Sequence, residues 1–179
     1  MRCKGFTLLE LLVAMSVASL LAALAIPSFV QLTSNVKRAA YTNNFLANLA
    51  LARSESIKRG KRVVLCKSSN GSDCTKAGQW DGGWLIFEDR DNDGVRDADE
   101  SLIRVESALS TSWRFKGNSS VANYISYHPL GRAFFISGAF QAGTLTLCEI
   151  SETATTGSKI VISSAGRPRS QTSELTSCV

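Results

Sequence analysis

From Phe6 to Val30 almost every residue is apolar or small, and Arg2 and Lys4 stand just ahead of that run. As a helix, such a run is long enough to cross a hydrocarbon core of about 30 Å. The leading basic residues predict a cytoplasmic N-terminus, with the rest of the chain on the other side of the membrane. A secretory signal peptide has a shorter apolar core with a small-residue cleavage site behind it, and neither is evident here. One carboxylate, Glu10, interrupts the run. A charge at the centre of a bilayer helix costs up to about 3 kcal/mol, less near its end. Glu10 is therefore a candidate functional residue in need of a partner.

Beyond residue 30 the composition changes to that of a polar, Ser/Thr-rich soluble domain. The 179 residues suffice for one ordinary domain plus the apolar segment. The net charge of +5 hides three blocks: +7 over residues 31–72, −6 over 73–106 and +3 over 107–179. A modest total of this kind is weak support for a nucleic-acid partner, so the placement of individual arginines matters more. Four cysteines follow the apolar run: Cys66, Cys74, Cys148 and Cys178. They form no close CxxC pair, and His128 is the sole histidine, which argues against zinc. In an exported domain four cysteines predict two disulfides with three possible pairings. The local pairing, Cys66–Cys74 and Cys148–Cys178, is preferred because it closes a short Ser/Gly loop and staples the C-terminus.

The middle of the chain reads first as helix and then as strands. Pro27 should bend the first helix by removing one hydrogen bond. Val36, Ala39, Ala40, Asn43, Leu46, Ala47, Ala50 and Ile57 recur at helical steps and predict an amphipathic segment with that stripe inward. Gly60 is a stop signal. Short strands are then expected at 62–66, 84–88, 101–105, 112–116, 124–127, 133–137, 144–150 and 159–163, separated by turn clusters. A long helix on antiparallel sheets is an α+β architecture. The expected segments are a leader over 1–5, a transmembrane half-helix over 6–30, an amphipathic half-helix over 31–60 and a β-rich head over 61–179.

Two motifs in the head carry chemistry. The segment from Asp89 to Glu100 matches calcium-loop spacing at Asp89, Asp91, Asp93, Gly94, Asp97 and Glu100. Its strand-like flanks and its two arginines, Arg90 and Arg96, point instead to a plain loop. No cofactor is expected, with calcium the one candidate. The second motif is Ser164-Ala165-Gly166-Arg167-Pro168-Arg169-Ser170. Gly166 permits an unusual backbone angle and Pro168 stiffens the chain. Together they would hold Arg167 and Arg169 on a constrained turn, where a planar guanidinium suits phosphate oxygens. No nucleophile–base arrangement is apparent, so an enzyme is not expected.

The segment Gly5-Phe6-Thr7-Leu8-Leu9-Glu10 resembles the type IV pilin and pseudopilin signature. The resemblance implies cleavage by prepilin peptidase between Gly5 and Phe6, N-methylation of Phe6, and pairing of Glu10 with the N-terminal amine of a neighbouring subunit. It further implies the type IV pilin fold, with an anchor in the inner membrane and a periplasmic head that enters a pilus or pseudopilus. The head, through His128-Pro129-Leu130-Gly131-Arg132, the strand ending in Cys148 and the Gly-Arg-Pro-Arg turn, resembles the FimT/GspH-type minor pilins and pseudopilins. In the FimT branch a Gly-Arg-x-Arg motif is associated with DNA binding in natural transformation. That association implicates Gly166, Arg167 and Arg169 in binding double-stranded DNA. The alternative is a structural pseudopilin of type II secretion, or a minor pilin that primes assembly, with no DNA ligand.

Overall fold

A computed structural model describes residues 7–179, and within it the chain divides into two compact units, one ending at Lys37 and the other Arg38–Val179. Helix α1, Leu8–Arg59, begins in the first unit and ends in the second. It is continuous through position 27, where a bend was expected. The leader residues Gly5 and Phe6 lie outside the described residues. In the first unit α1 is long and apolar enough to cross a membrane, and its large residues, such as Leu8, Leu12, Leu20 and Phe29, are all exposed. A helix with apolar groups all round is one whose natural surroundings are not water.

The second unit packs two antiparallel sheets around the remainder of α1. The first sheet has the order β3-β2-β1-β5, built from β1 Arg62–Lys67, β2 Trp84–Asp89, β3 Leu102–Glu106 and β5 Tyr124–Tyr127. The second has the order β4-β6-β7-β8, built from β4 Trp113–Gly117, β6 Gly143–Glu149, β7 Thr155–Ile162 and β8 Pro168–Leu175. This is the α+β arrangement of the type IV pilin fold, as expected from the sequence.

The helical face that enters the core is not the one the alanines suggested. Ala39, Ala40, Asn43, Ala47, Ala50 and Ile57 are exposed, and Val36 with them, while Thr42, Phe45, Asn48, Leu49, Ala52 and Ser56 are buried. The buried set also recurs at helical spacing, but half of it is polar and therefore invisible to an apolar count. Each polar member has its partner. Thr42 Oγ1 donates to the Arg38 carbonyl, Asn48 Nδ2 to the Asn44 carbonyl and Glu106 Oε1, and Ser56 Oγ to the Arg53 and His128 carbonyls. A buried polar group that keeps its hydrogen bonds costs little.

Phe45 is the centre of the core. Its ring meets Trp80, Trp84 and Phe115 edge-on at 5.5, 5.1 and 4.7 Å between centroids. Such contacts add roughly 0.5–1.5 kcal/mol each beyond the area they bury. Trp80 completes its own bonding by donating Nε1–H to the Val121 carbonyl at 2.8 Å.

Two strand expectations need correction. The segment 133–137 forms only the isolated bridges Tyr127↔Ala133 and Phe134↔Phe140, because Gln141 and Gly138 fold it back on itself: Gln141 N–H donates to Ala133 and Gly138 N–H to Phe135. Conversely, 168–175 forms the whole edge strand β8, paired with β7 from Thr155↔Leu175 to Ile162↔Pro168. Disulfides join Cys66 to Cys74 and Cys148 to Cys178, so each sheet carries one staple.

Candidate functional site

The arginine turn is shaped by Gly166. Its φ of +74° is one that residues with a Cβ seldom adopt, and its backbone lies against the segment Gly131–Ala133. A Cβ at position 166 would come within 2.5 Å of the Gly131 carbonyl and 3.2 Å of the Ala133 nitrogen. The turn closes on itself as Gly166 N–H donates to Ser163 and Ser163 N–H to Arg167. Arg167 therefore sits on the turn, whereas Arg169 sits on β8, opposite Val161. The sequence placed both on the turn. Both side chains are exposed.

The close approach at Gly166 brings a third arginine into the neighbourhood, since Arg132 stands between Gly131 and Ala133. Its guanidinium lies over the Phe140 and Phe134 rings at 4.7 and 5.7 Å. Cation–π contacts of this kind hold a charge in place while leaving its hydrogen-bond donors free for a ligand. Tyr127, whose ring also touches the Gly166 position, is fully buried, and burial pushes its phenol well above the usual range. It serves as floor to the turn, in neutral form.

Register extends the cationic surface. Lys116 pairs with Thr146, Thr146 with Lys159 and Lys159 with Gln171, a row across all four strands. Residues directly opposite one another share a face. The next row runs Thr144, Val161, Arg169. The inward positions of the same strands are Trp113, Phe115, Leu145, Leu147, Ile160 and Ile162, all buried. Lys116, Lys159 and Arg169 thus share the outward face with threonines and a glutamine, and no Asp or Glu occupies an outward position of these strands. Arg114, further along that face, is neutralised by Asp81 at 3.4 Å.

The acid-rich loop lies at the end of the other sheet, between β2 and β3. Asp89, the last residue of β2, is 0% exposed, while Asp91 and Asp93 are exposed. One carboxylate oxygen from each of the three lies within 4.8 Å of the others. Glu100 is buried and faces inward, but its oxygens are occupied: Oε1 accepts from the Arg90 N–H at 2.7 Å and Oε2 from the Asp97 N–H at 3.1 Å. Glu100 closes the loop, and Asp97 stands outside the carboxylate cluster. Burial, and then the Glu100 charge, push the Asp89 carboxyl up to about 6. Arg62, itself buried, donates to Asn92 Oδ1 and Ser126 Oγ and reaches Asp89 Oδ2 only at 4.0 Å.

At the other end of the chain, Thr7 and Glu10 form a reciprocal cap. Thr7 N–H and Oγ1–H both donate to Glu10 Oε2 at 3.0 Å, and Glu10 N–H donates to Thr7 Oγ1 at 3.3 Å. This is a capping box at the start of α1. The spacing Thr-x-x-Glu signals it in the sequence, where it went unread.

A family model described as type II transport protein GspH matches residues 41–166, and one described as the prokaryotic N-terminal methylation motif matches residues 1–26. No curated protein matches the chain significantly. Among solved structures, the type IV minor pilin FimU of Pseudomonas aeruginosa superposes with a TM-score of 0.58 at 18% identity, covering 82% of this chain and 98% of that one. The minor pseudopilin EpsH of the Vibrio cholerae type 2 secretion system superposes with a TM-score of 0.52 at 10% identity, covering 75% and 96%. At these identities the likeness establishes the fold.

Proposed function

Because the chain belongs to the family of the type II transport protein GspH, and so is a membrane-anchored type IV pilin-like subunit of a pilus or pseudopilus, we propose that it is a minor pilin of the FimT branch whose head binds double-stranded DNA for uptake. The observation that carries this reading is the cationic surface around Gly166: Arg167 and Arg169 exposed, Arg132 brought alongside, and Lys159 and Lys116 on the same outward face as Arg169. Three features suit this surface to phosphate. Its charges stand on a glycine-shaped turn and a strand, which lowers the entropy lost on contact. Its strand positions carry no acid to repel a polyanion. Its other outward groups are hydroxyls and an amide, which bond phosphate and sugar oxygens without reading sequence.

The anchor belongs to the same proposal. Prepilin peptidase cuts between Gly5 and Phe6, Phe6 is N-methylated, and the helix holds the subunit in the inner membrane with the head in the periplasm. Glu10 then meets the terminal amine of a neighbouring subunit. A buried carboxylate is well served by an ammonium supplied at a fixed position.

The competing reading is a structural pseudopilin of type II secretion or an assembly-priming minor pilin. The match to the GspH model favours it, and in it the arginine turn touches another subunit. Titration of the full-length chain, in neutral detergent, with a short DNA duplex at several salt concentrations separates the two. With Arg167→Ala and Arg169→Ala together, affinity should fall and the salt slope should become shallower by about 1.8, the value for two lost phosphate contacts. Equal binding by the double variant, or none by the parent at low salt, rejects the DNA reading in favour of the structural one.

A further inference from the structure

The geometry assigns a calcium site to the β2–β3 loop, with Asp89, Asp91 and Asp93 as its carboxylate ligands. The starting point is a charge without a partner. Asp89 is completely buried, yet its Oδ2 accepts no hydrogen bond. Its nearest cation, Arg62 Nε, stands at 4.0 Å, beyond bonding distance, and that guanidinium is engaged with Asn92 and Ser126. A buried carboxylate oxygen with neither water nor donor is costly, and the usual remedy is a metal ion or a direct pair. The same carboxylate converges with those of Asp91 and Asp93 to within 4.8 Å. Three oxygen donors around one point, one of them dry and unsatisfied, make a cation site.

The loop's other charges are turned away from this point. Arg90 Nε donates to Glu88 at 3.2 Å, and Arg96 Nη1 donates to the Ser72 carbonyl at 2.8 Å. Neither arginine is spent on the acids, so the local charge of the segment, six acids against two arginines, remains strongly negative. Glu100 is excluded as a ligand by its two backbone donors, but it fixes both ends of the loop and adds its own negative potential.

The donor set selects the ion. All three donors are hard carboxylate oxygens, with no imidazole or thiolate in the cluster, which disfavours zinc, copper and nickel. Calcium accepts six to eight oxygens in irregular geometry, whereas magnesium demands a near-ideal octahedron and gives up water reluctantly. A loop that turns at Asn92 and Gly94 with φ of +66° and +75° can supply carbonyls to complete an irregular shell. A cation here would also bind two loops together, since Arg96 already ties this segment to the one closed by Cys66 and Cys74.

The test uses the full-length chain in neutral detergent, stripped with chelator and then given calcium chloride alone. Calorimetry should show one site per chain, with Kd in the range of about 10⁻⁵ to 10⁻³ M typical of sensor and extracellular modules. The melting temperature should rise on adding calcium. Asp91→Asn with Asp93→Asn removes two exposed ligands, and should weaken binding at least about tenfold while melting as the parent does in chelator. That unchanged melt separates ligand loss from misfolding. Absence of both heat and a melting shift at about 10 mM calcium overturns the site. Equal binding by the double variant overturns the ligand assignment, and magnesium bound as tightly as calcium overturns the choice of ion.

Discussion

The acid-rich loop after β2 and the arginine turn after β7 each gather charge at the end of a hairpin, but they treat that charge in opposite ways. In the first, Asp89 and Glu100 are drawn into the protein and the loop is folded around them. In the second, the backbone at Gly166 is packed against Gly131 and Ala133, and the guanidiniums of Arg167 and Arg169 are left outside. A buried charge raises the cost of the folded state until a ligand or partner meets it, so it favours a small, tightly coordinated ion. An exposed charge on rigid backbone costs the fold almost nothing and suits a large ligand held by many weak contacts. The difference teaches that in this head burial, more than charge count, separates a site for an ion from a surface for a polymer.

Arginine substitutions break the comparison most sharply. Arg62→Ala would strand the Asp89 carboxylate and remove the donors to Asn92 and Ser126, and should cost about 3–5 kcal/mol. Arg167→Ala with Arg169→Ala should leave stability within about 0.5 kcal/mol of the parent. Denaturant unfolding of both variants measures the contrast, and equal losses would mean that the turn is structural after all.

Next in size is Gly166→Ala. A Cβ at 2.5 Å from a carbonyl oxygen, on a backbone with φ of +74°, should cost about 2–4 kcal/mol and displace the turn from Gly131. Thermal unfolding reports the first effect and DNA titration the second.

The smallest effect sharpens the electrostatic side. Hydrogen bonding from Arg59 holds the Glu88 carboxyl below its ordinary value of 4.5, and the same guanidinium bonds Glu55. A depressed carboxyl stabilises the fold above its unfolded pKa, and that contribution disappears as pH falls through the folded one. Glu88→Gln should therefore be less stable than the parent by about 0.5–1 kcal/mol at pH 7, with the gap closing as pH falls below about 4.5. Urea midpoints between pH 7 and pH 3 test this, and a constant gap would exclude a charge-dependent contribution.

Much of the architecture was legible because apolar alternation and turn residues coincide in the strands. Tyr124–Tyr127 was read to the residue, and the bounds of β2, β3 and β4 to within one. β8 escaped because Pro-Arg-Ser-Gln-Thr-Ser-Glu-Leu has no apolar alternation. As an edge strand it buries little, and a proline is tolerated at its first position. The helix face was misread because Thr42, Asn48 and Ser56 are buried through hydrogen bonds, which no hydropathy pattern reveals. In the candidate sites, spacing identified Asp89, Asp91 and Asp93 as a set. The isolation of Asp89 Oδ2 and the approach of Arg132 to Gly166 arise from contacts between distant segments, so sequence alone could not display them.

The course of the chain out of α1 has a mechanical consequence. Gly60 and Lys61 lead straight into β1, a central strand held by six residue pairs on the β2 side and four on the β5 side. Tension arriving along the helix is thus delivered to the best-anchored strand of the first sheet and shared across both neighbours at once. At the far end of that strand Cys66 is covalently tied to Cys74, which shortens the length of chain that can be drawn out. In a filament that pulls, the head would yield late, after weaker joints elsewhere had given way.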